Sequence, residues 1–286
     1  MSNWKITLLA NEHCQTGECP VWDEERGCVY WTDIPNGKLF RHDLATRSHE
    51  QIYSGPPVGG FTLQTDGSLL LFRIADIAVL PWRGEARSII DFHAEGSDRF
   101  NDVCADPEGR VFAGTLNNQR DKVAGLFRVE RDGTVAQLFN GTGNSNGSGF
   151  STDERTFFWT DSTAKQICRF DYDVATGGLS NRTTLVQLPH DQGTPDGLCL
   201  DAEDNIWSAR WNGAAVFKFS REGTLLDKIA MPVKAISCPC FGGSDSRMMF
   251  VTTANGKPGE PTEDGALFQV EGAFDGKPKF RSRILI

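Results

Sequence analysis

Six times along this chain of 286 residues the same pattern returns: alternating apolar residues, an Asp- or Gly-bearing turn, then a second apolar and aromatic run. The copies are Pro20–Asp33, Phe61–Phe72, Val103–Thr115, Gly149–Asp161, Leu198–Ala209 and a degenerate Cys238–Thr252. Their spacing of roughly 40 to 50 residues marks a repeat architecture, and each copy reads as strand, turn, strand. Further runs, Leu126–Val129, Ile167–Tyr172 and Val216–Phe219, alternate with period two as half-buried third strands do. After them come turns at Asp132-Gly133, Gly177-Gly178 and Glu222-Gly223, then outer strands such as Thr183–Leu188. No segment keeps helical periodicity for the roughly ten residues a helix requires. The expected fold is therefore all-β, a six-bladed β-propeller forming one domain over residues 1–286. Lys5–Leu9 is the candidate outer strand of the last blade, closing the ring with a strand from each chain end.

Three polar residues stand just before repeat copies: Glu18 in Gly17–Pro20, Asn146 in Ser145–Gly147 and Asp196 in Pro195–Gly197. The innermost strand of a propeller blade begins near the axis, so equivalent positions in different blades can converge there. Glu, Asn and Asp together form an all-oxygen ligand set for a hard divalent cation. Two facing carboxylates would repel unless a cation or a proton lay between them. Asp196 within Pro-Asp-Gly also fits a plain turn residue. The recurring Asp23, Asp66, Asp106, Asp153 and Asp201 read as structural, one in each of the first five repeats.

The net charge of −9 and a pI near 5.1 exclude the basic footprint of a nucleic-acid binder. No run approaches the roughly 20 apolar residues of a membrane helix. The opening Met-Ser-Asn-Trp-Lys-Ile carries no secretory apolar stretch, so the expected location is the cytoplasm, as a monomer or weak dimer. The eight cysteines are scattered through apolar strands without metal-ligand spacing and read as buried free thiols. Nor do the five histidines form a zinc pattern. Gly143–Gly147 matches the Gly-x-Ser-x-Gly elbow of serine hydrolases, but a strand follows it, and His190 precedes Asp196. The match is accidental.

The stretches Gly17–Trp22, Asp33–Pro35, Arg99–Asp102, Phe112–Thr115, Ser145–Gly147, Phe170–Asp173, Pro195–Gly197 and Cys240–Gly243, in that order, resemble the SMP-30/gluconolactonase/luciferin-regenerating-enzyme family. The similarity covers nearly the whole chain. It implies a six-bladed propeller that binds one divalent metal and hydrolyses lactones, mostly aldonolactones of sugars. It also implies that Glu18, Asn146 and Asp196 are the metal ligands and that Arg99 and Asn101 contact substrate. An acidic residue that follows the Gly-Thr strand in the family has no match here. Residues 116–119 read Leu-Asn-Asn-Gln, with Gln119 the nearest candidate, so the 116–124 segment is where specificity is expected to differ.

On this reading the metal acts as a Lewis acid on the lactone carbonyl, and Asp196 is both ligand and general base. Ca, Zn, Mg, Mn and Fe(II) all suit the ligand set. Arg99 is equally able to pair with Asp98 or Asp102. Arg210 and Trp211–Gly213 are weaker candidates for lining a pocket. The competing readings are a hydrolase of another ester or phosphoester and a non-enzymatic calcium-binding regulatory propeller.

Overall fold

The computed structural model describes residues 4–119, 121 and 123–286. β1 (Lys5–Ala10) precedes a first group of β2 (Gly17–Asp23), β3 (Cys28–Asp33), β4 (Lys38–Asp43) and β5 (His49–Ser54). The second group is β6 (Val58–Leu63), β7 (Leu69–Arg73), β8 (Asp76–Leu80) and β9 (Arg87–Asp91). The third is β10 (Arg99–Ala105), β11 (Val111–Leu116), β12 (Ala124–Val129) and β13 (Val135–Thr142). β14 (Ser145–Phe150), β15 (Thr156–Asp161), β16 (Gln166–Asp173) and β17 (Gly178–Gln187) make the fourth. The fifth holds β18 (Thr194–Leu200), β19 (Ile206–Trp211), β20 (Ala215–Phe219) and β21 (Leu225–Ala230). β22 (Ile236–Gly242), β23 (Met248–Thr253) and β24 (Leu267–Glu271) complete the chain's strands.

These strands form six four-stranded antiparallel sheets, five in sequence order and the sixth in the order β1-β24-β23-β22. The fold is an all-β six-bladed propeller, and no α-helix occurs among the described residues. Each repeat copy covers the first two strands of one blade. β1 pairs with β24 from Lys5 opposite Glu271 to Ala10 opposite Leu267, so the sixth blade draws a strand from each end of the chain.

The repeated aspartates explain why the copies look alike. Asp23, Asp66, Asp153 and Asp201 each accept a hydrogen bond from the backbone N–H two residues on, which closes the hairpin turn. Asp106 goes further. Its buried carboxylate takes Arg110 N at 2.9 Å, Arg110 Nε at 2.5 Å and the Tyr172 hydroxyl at 2.8 Å, tying β10–β11 to β16. Asp201 accepts Trp207 Nε1 and Lys218 Nζ, both at 3.1 Å. These side chains carry the turns.

The chain divides into two compact units, Met1–Gly55 with Leu188–Pro278, and Pro56–Gln187 with Lys279–Ile286. In the first, β22 packs between β2 and β18. Its core gathers Trp207, Ile229, Ile236, Phe241, Val251 and Phe268, with a second cluster around Val29, Trp31, Phe40 and Phe250. In the second, β10 packs between β6 and β14 over Phe112, Phe150, Phe157, Trp159, Phe170 and Tyr172. Each such side chain contributes about 1.5–3 kcal/mol on full burial. All eight cysteines are buried in these interiors and none is disulfide-bonded.

Candidate active site

Every blade's innermost strand is irregular at the same place. The pairing of inner to second strand shifts between Glu18 and Val21, Val58 and Gly60, Phe100 and Val103, Asn146 and Ser148, Pro195 and Leu198, and Ile236 and Cys238. A bulge leaves one residue unopposed, bends the strand and re-aims a side chain. Glu18 and Asn146 are the last paired residues before their bulges, whereas Asn101 and Asp196 lie inside theirs. The equivalent place in the second blade is Gly59, where a Cβ would stand 2.0 Å from the Phe100 carbonyl oxygen. That blade comes too close to β10 to offer a side chain.

In the second unit the structure brings Arg99, Asn101 and Asn146 together. Arg99 Nη1 donates to Asn101 Oδ1 at 2.6 Å and to the Phe100 carbonyl at 2.9 Å. Asn101 Nδ2 donates to Ser145 O at 2.8 Å and to Asn144 Oδ1 and Asn146 Oδ1, both at 3.1 Å. Asn146 Nδ2 donates to Ser162 Oγ at 2.9 Å, while its Oδ1 accepts Asn101 Nδ2. Asn101 and Asn146 are both buried. Asp102, beside Asn101, is buried as well, and removal from water pushes its carboxyl above the usual range while the Lys279 ammonium pulls the other way.

In the first unit, Glu18 and Asp196 sit on the two strands that flank β22, and both are buried. Glu18 Oε2 accepts the N–H of Cys19 at 2.8 Å, and Cys19 adopts a left-handed backbone with φ of 50° within the bulge. Gly197 follows Asp196 where a Cβ would meet Cys238 Sγ at 2.4 Å, so β18 can lie against β22 only with glycine there. Arg210, opposite Pro195 in the β18–β19 register, is wholly buried.

Sequence reasoning passed over Asn144 and Ser162, which hold Asn101 and Asn146 in place. It took Asp102 only as an ion-pair partner. Asn144 and Ser162 follow from strand pairing across β14 and β15, which no local motif reports. Gln119 is exposed in a turn, its N–H bonded to Asn117 Oδ1 at 2.9 Å. Arg120 and Lys122, within the 116–124 segment, lie outside the described residues. Ser145 of the elbow-like motif begins a strand and accepts Trp159 Nε1 at 2.7 Å, in keeping with an accidental match. No helix is long and apolar enough to cross a membrane among the described residues.

Comparison with known proteins shows the family and the fold. A pentonolactonase, XacC, of Haloferax volcanii is 38% identical over 98% of this chain and 98% of its own length. Regucalcin of Xenopus laevis is 33% identical over 95% of this chain and 96% of its own. The crystal structure of a calcium-binding regucalcin from Agrobacterium tumefaciens shares the fold with a TM-score of 0.87 at 23% identity, covering 97% of both chains. The family model for the SMP-30/gluconolactonase/LRE-like region matches residues 16–255. The chain belongs to the SMP-30/gluconolactonase/LRE-like family.

Proposed function

We propose that this protein hydrolyses a sugar lactone, an aldonolactone, to the corresponding acid, with one divalent cation held by Glu18, Asn146 and Asp196. The observation that carries the reading is the inner-strand bulge, which recurs in every blade and bears a chemically apt side chain in only some of them. The names of relatives support the reading: a pentonolactonase for the substrate class, and a calcium-binding regucalcin for the cation. Among the described residues no three His, Cys, Asp or Glu side chains gather as a metal cluster, and the proposed set joins two carboxylates to one neutral amide oxygen. Asn146 fits that role. Its Oδ1 accepts Asn101 Nδ2 at 3.1 Å and has a second lone pair to offer, and an oxygen-only set suits a hard cation.

A cation bound there would polarise the lactone carbonyl and ease deprotonation of a water. Asp196 takes the proton from the attacking water as its oxygen adds to the carbonyl carbon. The ring C–O bond then breaks, Asp196 passes that proton to the departing alkoxide, and a hydroxy acid is released. Glu18 would hold the cation and lend it negative charge. Arg99 and Asn101 donate to the sugar's oxygens, Asn101 by exchanging one of the three acceptors its amide now meets.

The test is acid release from a panel of five- and six-membered aldonolactones. Asp196→Asn and exhaustive chelation should each lower turnover by about 10²-fold or more, and Glu18→Gln should weaken metal binding measured calorimetrically. Turnover unaffected by both treatments would exclude this mechanism. Tight calcium binding with no turnover across the panel would favour a regulatory propeller instead.

A further inference from the structure

Five Asn-Gly pairs occur in the chain, beginning at Asn36, Asn140, Asn146, Asn212 and Asn255. In such a pair the glycine nitrogen can attack the asparagine side-chain carbon, because no Cβ hinders the approach and glycine turns freely. Four of the five are held away from that reaction. Gly37 N donates to Ile34 O at 3.1 Å, and Asn36 Nδ2 donates to Asp33 Oδ2 at 2.7 Å. Gly213 N donates to Arg210 O and Gly256 N to Cys14 O, both at 3.0 Å. Asn146 is buried, its amide bonded through the nitrogen to Ser162 and through the oxygen to Asn101.

Asn140-Gly141 differs on every count. Both residues are exposed near the end of β13, and the Asn140 side chain makes no hydrogen bond among the described residues. Gly125 faces Asn140 and Ala124 faces Thr142, so Gly141 has no residue opposite it. A bulge of this kind interrupts the ladder at the extra residue. Gly141 takes a φ of 100°, far from strand values, and a Cβ built on it would meet nothing within 4 Å. The backbone rotation that attack requires therefore meets no packed neighbour and breaks no side-chain bond.

We propose that Asn140-Gly141 is a self-modification site, at which the folded protein converts asparagine to aspartate and isoaspartate. Gly141 N gives its proton to solvent and bonds to Asn140 Cγ. The Cγ–Nδ2 bond breaks, and the amide group takes up a proton and leaves as ammonia. Water then reopens the cyclic imide. Addition at Cγ yields aspartate, and addition at the backbone carbonyl yields isoaspartate, whose main chain runs through the side-chain carbon. Either product adds one negative charge just ahead of Thr142, which donates to Asp161 Oδ1 at 2.9 Å, and of Asn144, which accepts from Asn101 at 3.1 Å. Aged molecules thus differ from new ones on the strand that leads into the candidate site. The proposal does not rest on the lactonase reading.

The test incubates full-length protein in mildly alkaline H₂¹⁸O and maps its peptides by mass spectrometry, beside a sample unfolded in urea. Each imide that hydrolyses takes up one ¹⁸O. The unfolded chain should label at all five pairs. In the folded protein Asn140 should keep pace with its unfolded rate, whereas the other four should lag theirs by at least about tenfold, because each must first open locally. Isoelectric focusing should show an acidic band that grows with age in wild type and fails to grow in Asn140→Gln, whose longer side chain closes a ring poorly. An unlabelled Asn140 in folded protein, or any of the other four converting as fast, would overturn the proposal. So would an acidic band that grows undiminished in the variant. The peptide map of wild type decides the matter even if the variant does not fold.

Discussion

His42 shows how much a single side chain can make stability depend on pH. It lies on β4 with 2% exposure, neither ring nitrogen has a partner among the described residues, and its ring stacks on His49 at 6.1 Å. Burial, and then the nearby His49, hold its pKa below the ordinary value, while Asp43 pulls weakly the other way. The unfolded chain therefore binds a proton that the folded chain resists. Stability from this group is complete above the ordinary histidine pKa and is lost as pH falls from there towards the lowered folded value. Urea midpoints of wild type should drop between pH 7 and pH 5, and His42→Phe should flatten that drop. An unchanged slope in the variant would show that other groups govern acid sensitivity. The sequence could place His42 on a strand, but not the absence of a partner for its ring, because partners come from strands far along the chain.

The strand pattern was readable because each hairpin states its own rule: period-two apolar residues on both sides of an aspartate that closes the turn. The copies at Val103–Thr115 and Leu198–Ala209 needed no more than that, and β10–β11 and β18–β19 followed. The bulges were not readable in the same way. Nothing local says that Asn101 and Asp102 face one residue, Gly114, or that Asn146 precedes the unpaired Gly147, since a bulge is a property of two strands in register. Glu18, Asn146 and Asp196 were picked out by position before a repeat, whereas the hydrogen bonds that hold Asn101 and Asn146 emerged only with the pairing. Gly59 gives the element a direct test. Gly59→Ala forces a methyl within 2.0 Å of the Phe100 carbonyl, where only backbone movement can relieve it. Denaturant unfolding should show a loss of more than about 2 kcal/mol, in the range of overpacked sites. A loss below about 0.5 kcal/mol, typical of surface changes, would mean that β6 and β10 yield more easily than their packing suggests.

Over the whole chain, the segment after β24 does what no strand does: it links turns belonging to different blades. Within the first unit, Asp275 O accepts Ala202 N at 2.8 Å, and Gly276 N donates to Ser246 O at 3.1 Å. Within the second, Ser282 exchanges backbone bonds with Leu63 and Thr65, Arg283 N reaches Gly109 O at 2.8 Å, and Leu285 N reaches Arg131 O at 2.9 Å. Gln64 Oε1 takes the N–H of Ile284 at 2.8 Å, and Ile284 is fully buried. Its composition resembles an ordinary tail, so this role was not legible in the residues. Removing residues 282–286 should cost at least about 3 kcal/mol, from one buried isoleucine and several backbone bonds. Calorimetry showing an unaltered Tm would refute that.

The β1–β24 pairing has a consequence for synthesis. The first strand to leave the ribosome must wait for the last one before it acquires a neighbour, a separation of more than 250 residues between Lys5 and Glu271. The sixth sheet therefore rests on a pairing of very high sequence separation, whose loop-closure cost makes it a slow step in closing the ring.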